Sequence, residues 1–166
     1  MNERLAPLPA TRATNAYELM EDVNRIILEE PARMDMRKWI SAFRSLTEIE
    51  QRNEDVSEGI FPIPEPACGT VACYSGWCAI LVGDRTMSTY GEQILAPYKE
   101  EPSRVNHALR NTLENAFYGT TFWDKAGRMI RPGTLKYAKM VVARFKAIMD
   151  EYETELKSTP ITIKRA

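Results

Sequence analysis

The sequence is poor in the residues that most often build metal and disulfide sites. It has one histidine and three cysteines in 166 residues, and its formal net charge is −1. An odd number of cysteines fits poorly with a closed set of disulfides. A net charge near zero provides no overall field that would favour nucleic acid or an anionic membrane. Hydrophobic residues at 44% and charged residues at 27% are ordinary for a globular domain, so wholesale disorder is not expected.

The N-terminal stretch MNERLAPLPATRA has charged residues and two prolines, but it lacks an apolar core of signal-peptide length. We therefore expect a cytoplasmic protein whose thiols stay reduced. The sequence contains no internal repeat and no low-complexity tract, and its length suits one domain. We expect a flexible arm over 1–13, a single helical domain over 14–157 and an exposed C-terminal tail over 158–166.

Apolar residues recur every three or four positions in several segments, which is typical of helices with one buried face. The longest such helix is expected from about 134 to 156, with Leu135 at the start of its buried face. Together the segments predict an all-α, single-domain bundle of about five helices around a buried central helix at about 71–83. The turn-rich piece near 118–131 could form a small hairpin. Three polar residues are expected to cap helices: Asn15, Asp35 and Ser103.

The stretch ACGTVACYSGWCAILVG (67–83) carries no charge and holds all three cysteines, five residues apart. A helix over 71–83 would be roughly 20 Å long at 1.5 Å per residue, whereas a bilayer core needs about 30 Å. Helical metal ligands lie three or four residues apart, whereas Cys73 and Cys78 are five apart, and the sequence has no CxxC pair. We therefore predict no membrane span, no metal site and no cofactor.

A catalytic role for Cys73 is the sharpest alternative for this stretch. With Thr70 as the N-cap, Cys73 would lie in the first helical turn, where the helix dipole lowers a thiol pKa. A cysteine-dependent hydrolase or transferase would also need a base, and His107 is the only histidine. His107, however, shares the polar side of its helix with Arg110, Asn111 and Glu114, which is typical of a solvated residue.

The interpretation of 71–83 as a core helix explains more of its residues. Ala72, Gly76, Ala79 and Gly83 form a ridge of small side chains that would let another helix approach closely. Apolar residues cover the rest of the circumference, which is typical of a helix buried on all sides. Free cysteine behaves in such places as a small hydrophobe. A binding role is therefore favoured over catalysis.

The motif CGTVACYSGWCA (68–79) resembles the C-G-T-x-x-C-x-x-G-[WH]-A signature of small uncharacterised proteins from bacteria and their phages. MDMRKW (34–39) stands in the place of an upstream F-[DN]-M…W element, with Met34 instead of the aromatic residue. AFYGTTFW (116–123) is similar to a downstream LF…W element. The resemblance implies a bacterial or phage origin and assigns no catalytic residue, and Cys78 falls outside the signature.

Charge is unevenly distributed along the C-terminal part of the sequence. Seven basic residues and no acidic one lie between 125 and 146, and aromatic residues, including Tyr137, interleave with them. Such a surface could hold phosphates and stack on bases or bind a protein, although a charge run is usually a solvated face. The candidate binding residues are Phe122, Trp123, Lys125, Arg128, Arg131, Lys136 and Lys139.

A second candidate surface is the strip GIFPIPEP (59–66), which either covers a groove of the bundle or binds a partner. We expect a small binding protein, phage-derived or accessory, that acts through a protein partner. Nucleic-acid binding through 125–146 and cysteine chemistry by Cys73 with His107 are the alternatives.

Overall fold

A computed structural model describes residues 10–37, 40–41, 71–83 and 91–164. This part of the chain is all-α, as predicted, apart from two strands of two residues each. The 59–66 strip and Cys68 lie outside the described residues. The helices are α1 (Ala16–Glu29), α2 (Tyr74–Val82), α3 (Gly91–Leu95), α4 (Arg104–Tyr118), α5 (Leu135–Glu151) and α6 (Glu153–Lys157), with a 3₁₀ turn at Pro31–Arg33 and strands β1 (Ile40–Ser41) and β2 (Val71–Ala72).

The first helix begins and ends where the sequence predicts. The Asn15 side chain accepts a hydrogen bond from the Glu18 N–H at 2.9 Å, which satisfies one of the free donors at the start of α1. The apolar stripe of α1 is buried. Pro31 then opens the 3₁₀ turn, because proline cannot continue the hydrogen-bond ladder of a helix.

The segment after Asp35 is a correction to the sequence analysis, which predicted a helix there. The Asp35 carboxylate does accept the Arg37 N–H at 3.0 Å, as a cap would. The Asp35 N–H, however, donates to the Ala72 carbonyl at 3.2 Å, and Ile40 pairs with Ala72 in an antiparallel register. Pairing with the distant β2 therefore replaces helical bonds at 40–41.

Helix α4 has the predicted cap, a reciprocal capping box between Ser103 and Asn106. Its predicted apolar face is only partly covered, since Leu109 and Leu113 are buried while Val105 is exposed.

The long helix predicted over 134–156 is broken at Tyr152 and divides into α5 and α6. Four acidic residues lie between 150 and 155, and carboxylates at a helix C-terminus oppose the helix dipole. The break places Glu153 and Glu155 in the first turn of α6, where the dipole favours them. Leu135, predicted to be buried, is exposed at the start of α5.

Helix α2 lies in the core, as predicted, but it is shorter than the predicted 71–83, because Val71–Ala72 form strand β2. The Tyr74 ring stacks on Phe145 with centroids 3.7 Å apart, and its hydroxyl donates to the Asn24 Oδ1 at 2.8 Å. The Trp77 indole N–H donates to the Arg33 carbonyl at 2.9 Å. These contacts join α2 to α1, α5 and the 3₁₀ turn. None of the helices in the described ranges is long and apolar enough to cross a membrane.

Both ends of the described chain are hydrogen-bonded to helices. Residues 159–164 run along the fold, where the Thr159 carbonyl accepts the Ala16 N–H at 2.9 Å and the Lys164 N–H donates to Val82 at 2.7 Å. Thr11 is buried and its hydroxyl donates to Asp22 at 2.6 Å. The described parts of the arm and of the tail therefore contact the helices directly.

Candidate functional site

The structure assigns Cys73 a different place from the predicted first helical turn. Cys73 is itself the N-cap of α2, and its Sγ accepts the Gly76 N–H at 3.4 Å. It is only 7% exposed, and burial raises the pKa of its thiol to about 11. A cysteine nucleophile needs the opposite shift. The sulfur therefore serves the fold, as a cap and a core residue.

Cys78 lies within the same core and is fully buried, with a pKa that burial raises further. The Cys78 thiol is free. Among the described ranges there is no group of three or more His, Cys, Asp or Glu residues that could hold a metal ion. The chemistry of these thiols is thus that of small apolar side chains.

His107 is exposed on α4, on the polar side that the sequence predicts. It lines a small cavity with Arg110, Asn111 and Glu114, and Cys73 is not among the residues of that cavity. The candidate base therefore faces water, while the candidate nucleophile faces the core. This arrangement does not support the cysteine-enzyme alternative.

The turn-rich piece after α4 forms the small hairpin that the sequence allows. The Ile130 N–H donates to Phe122 at 2.8 Å, the Asp124 N–H donates to Arg128 at 2.9 Å, and Trp123 pairs with Met129. The turn between them contains Gly127 with a φ of +75°, a conformation that favours glycine. We call residues 122–130 the hairpin.

Side chains of the hairpin alternate between the core and water. Phe122 and Ile130 point inward and are buried, whereas Trp123 is 60% exposed and Met129 is 51% exposed. In an extended backbone, successive side chains point to opposite faces. Phe122, a candidate binding residue from sequence, is therefore a packing residue, and its ring meets Tyr137 edge-on at 5.2 Å.

Asp124 holds the tip of the hairpin. Its Oδ1 accepts the Ala126 N–H at 2.8 Å and the Arg128 N–H at 2.9 Å, and its Oδ2 accepts the Arg128 Nε at 3.0 Å. The Lys136 ammonium lies 4.0 Å from the same carboxylate. These donors, the Arg128 N–H first, hold the pKa of Asp124 below its ordinary value. The tip is thus preorganised.

A groove of about 530 Å³ lies between the hairpin and α5. Four candidate residues from the sequence line it, and Arg131 and Lys139 are exposed outside it. The other lining residues were not predicted from the sequence. Met140 could have been found, because it lies one helical turn after Lys136 on α5 and therefore shares its face. We call this space the hairpin groove, and its lining is Trp123, Asp124, Lys125, Ala126, Arg128, Ile130, Lys136 and Met140.

Two residues of the 125–146 run belong to the fold and not to the surface. Tyr137 is fully buried, where its hydroxyl donates to the Thr120 carbonyl at 3.0 Å. The Arg144 guanidinium donates to the carbonyls of Ala116 and Gly119 at the end of α4. It also lies over the Phe122 ring at 4.3 Å. The basic run is therefore divided between an exposed surface and a structural cation.

No protein-family model, no curated protein and no solved structure matches this chain. The likeness of 68–79 to the bacterial and phage signature accordingly stays a prediction. In the part of the chain that the structure describes, the fold is helical, and the hairpin groove combines apolar lining with the basic side chains of Lys125, Arg128 and Lys136, which we call its basic rim.

Proposed function

We propose that this protein acts by binding a protein partner in the hairpin groove. The partner would present an apolar side chain for the groove and acidic side chains for its rim. The observation that carries this proposal is Trp123, which is 60% exposed beside Met129 at the groove. Tryptophan is usually well buried, and exposed aromatic residues are enriched at the energetic centres of protein interfaces.

The preorganisation of the hairpin supports a binding role. Phe122 and Ile130 anchor it in the core, and Asp124 ties its tip together through three hydrogen bonds. A rigid surface loses less conformational entropy when a partner binds, so that more of the contact energy remains as affinity. Trp123 is therefore presented in a conformation that needs little further ordering.

The charges and the floor of the groove favour a protein over nucleic acid. Lys125, Arg128 and Lys136 surround the groove and would complement carboxylates of a partner. The floor includes the apolar residues Ile130 and Met140, which offer no donors to phosphates.

The setting of this function follows the expectations from sequence. The likeness of CGTVACYSGWCA to the signature proteins suggests an accessory bacterial or phage role, and the cytoplasm is the proposed compartment. Cysteine chemistry by Cys73 is the weaker alternative, because its sulfur is buried and its pKa is raised to about 11.

The proposal is tested by affinity capture from bacterial lysate, with matched variants. Trp123→Ala removes the exposed indole, and Tyr118→Ala removes a more exposed aromatic residue, at 82%, that does not line the groove. We expect an acidic protein that is retained by the wild type and by Tyr118→Ala, and lost from Trp123→Ala. The reverse-charge variant Lys136→Glu should also lose it.

Equal retention of the same proteins by all these variants would contradict the proposal. Fluorescence anisotropy with labelled oligonucleotides at two salt concentrations tests the nucleic-acid alternative. Binding that weakens steeply with salt would favour that alternative, since phosphate contacts release counterions. Both measurements use the full chain, and circular dichroism checks that the variants are folded.

A further inference from the structure

A second cavity, of about 200 Å³, lies between residues 97–102 and helix α4. From it we infer a binding site for a small organic anion, a carboxylate carried on an apolar body. The site is separate from the hairpin groove, because the two share no lining residue. It therefore does not depend on the function proposed above.

The cavity has walls that are already held in place. Arg110 Nη1 donates to the Ala96 carbonyl at 3.0 Å and to the Gln93 Oε1 at 3.3 Å. The same Gln93 oxygen accepts the Tyr98 N–H at 3.4 Å, so one side chain fixes both a cation and an aromatic residue of the site. The Arg110 guanidinium lies 6.0 Å from the Tyr98 ring centroid.

Two cations, Lys99 and Arg110, are among the polar residues that line this cavity. Arg110 has further N–H donors beyond the Nη1 group, since a guanidinium carries five. Among the residues that the structure describes, the Lys99 ammonium and the His107 imidazole have no hydrogen-bond or ion-pair partner. Glu114 is the one carboxylate in the lining. The Lys99 ammonium would gain a charge-assisted hydrogen bond from a carboxylate ligand, and the His107 imidazole has an N–H that can also donate to it.

The remaining lining residues of the cavity indicate the apolar part of the ligand that would carry the carboxylate. Pro97, Tyr98 and Pro102 offer apolar and aromatic surface. Binding pockets combine such surface with a few polar groups that fix orientation. A volume near 200 Å³ limits the ligand to a single ring or a short aliphatic chain. A small aromatic or branched carboxylate therefore fits both the charge and the walls.

The test uses NMR of the His107 imidazole, which gives a single set of signals because the chain has one histidine. The probes are benzoate, its neutral isostere benzamide, and acetate, titrated at one pH. We expect benzoate to shift the signals saturably, with a Kd on the order of 1 mM. Benzamide, which lacks the charge, and acetate, which lacks the ring, should bind at least about tenfold more weakly.

Two variants that keep His107 as the reporter complete the test. Lys99→Gln removes an unpaired cation of the site and should weaken benzoate binding by about fivefold or more. Lys146→Gln, on the exposed face of α5, is the matched control and should bind as the wild type does. No saturable shift with benzoate, equal binding of benzamide, or an unchanged Kd in Lys99→Gln would each overturn the site.

Discussion

Helix α2 and the hairpin are both short and rich in apolar residues, but they bury their side chains differently. Around α2, neighbouring elements cover nearly every direction, and Ile80 is its only half-buried residue. In the hairpin one face is buried and the other exposes Trp123 and Met129. Cys73 and Cys78 draw attention to the first segment, yet the second has the accessible surface.

The elements packed around a segment therefore decide whether it has a surface free to bind a partner. Charge-free residues at every position of α2 allow all its faces to pack. The hairpin alternates inward and outward side chains and places cations next to an exposed indole. A surface that can bind requires such one-sided burial.

The largest expected difference lies between two adjacent hairpin residues. Phe122→Ala removes a buried ring and should lower the free energy of unfolding by about 3–5 kcal/mol. Trp123→Ala removes an exposed ring and should change it by no more than about 0.5 kcal/mol. Urea denaturation measures both. Similar losses for the two variants would mean that the hairpin does not divide into a buried and an exposed face.

Each of the two segments has a glycine with a positive φ, and the two glycines can be compared directly. Gly83 after α2 and Gly127 in the hairpin share a φ of +75°. A Cβ at Gly83 would clash with the Lys164 carbonyl oxygen, whereas one at Gly127 would meet nothing within 4 Å. Gly83→Ala should therefore cost about 2–4 kcal/mol and Gly127→Ala about 1 kcal/mol. If Gly83→Ala and Gly127→Ala lowered the denaturation midpoint equally, that would contradict the close packing of Lys164 against the end of α2.

Alkylation of Cys73 tests whether α2 is closed to solvent. Burial raises its thiol pKa from 9.0 to about 11, so the reactive thiolate at neutral pH should be about a hundredfold scarcer. Iodoacetamide labelling followed by mass spectrometry should be slow in native protein, should accelerate as the pH approaches 11, and should be fast in concentrated guanidinium. Rapid labelling of the native protein at neutral pH would revive the enzyme alternative.

The smallest expected effect concerns the tip of the hairpin. The pKa of Asp124 is lowered from 3.8, chiefly by the Arg128 N–H. A lowered carboxyl pKa stabilises the folded state above pH 3.8, and this contribution is lost as the pH falls through the lowered value. Asp124→Asn should therefore be less stable than the wild type at neutral pH, and the gap should close in strong acid. A gap that is independent of pH would show that the charge is not involved.

Much of the helical fold was predictable because its signals are local. The caps Asn15 and Ser103 lie within a few residues of the donors they satisfy, and apolar spacing shows which face of α1 is buried. The site was less predictable. Trp123 and the cations were found from the sequence, but Phe122 and Tyr137 were assigned to the surface although both are buried. Composition does not show which of two neighbouring aromatic residues faces the core.

The sequence by itself determined where α1, α4 and α5 begin and which uncharged segment had to be interior, since periodicity and capping act over a few residues. Tertiary structure alone decided that Cys73 caps α2, because β1 pairs with β2 across a long stretch of chain, so that Val71 and Ala72 form a strand and the helix begins only at Tyr74. It also decided that Arg144 serves the end of α4 while its basic neighbours remain exposed. Those outcomes depend on partners distant in the chain, which no local pattern encodes.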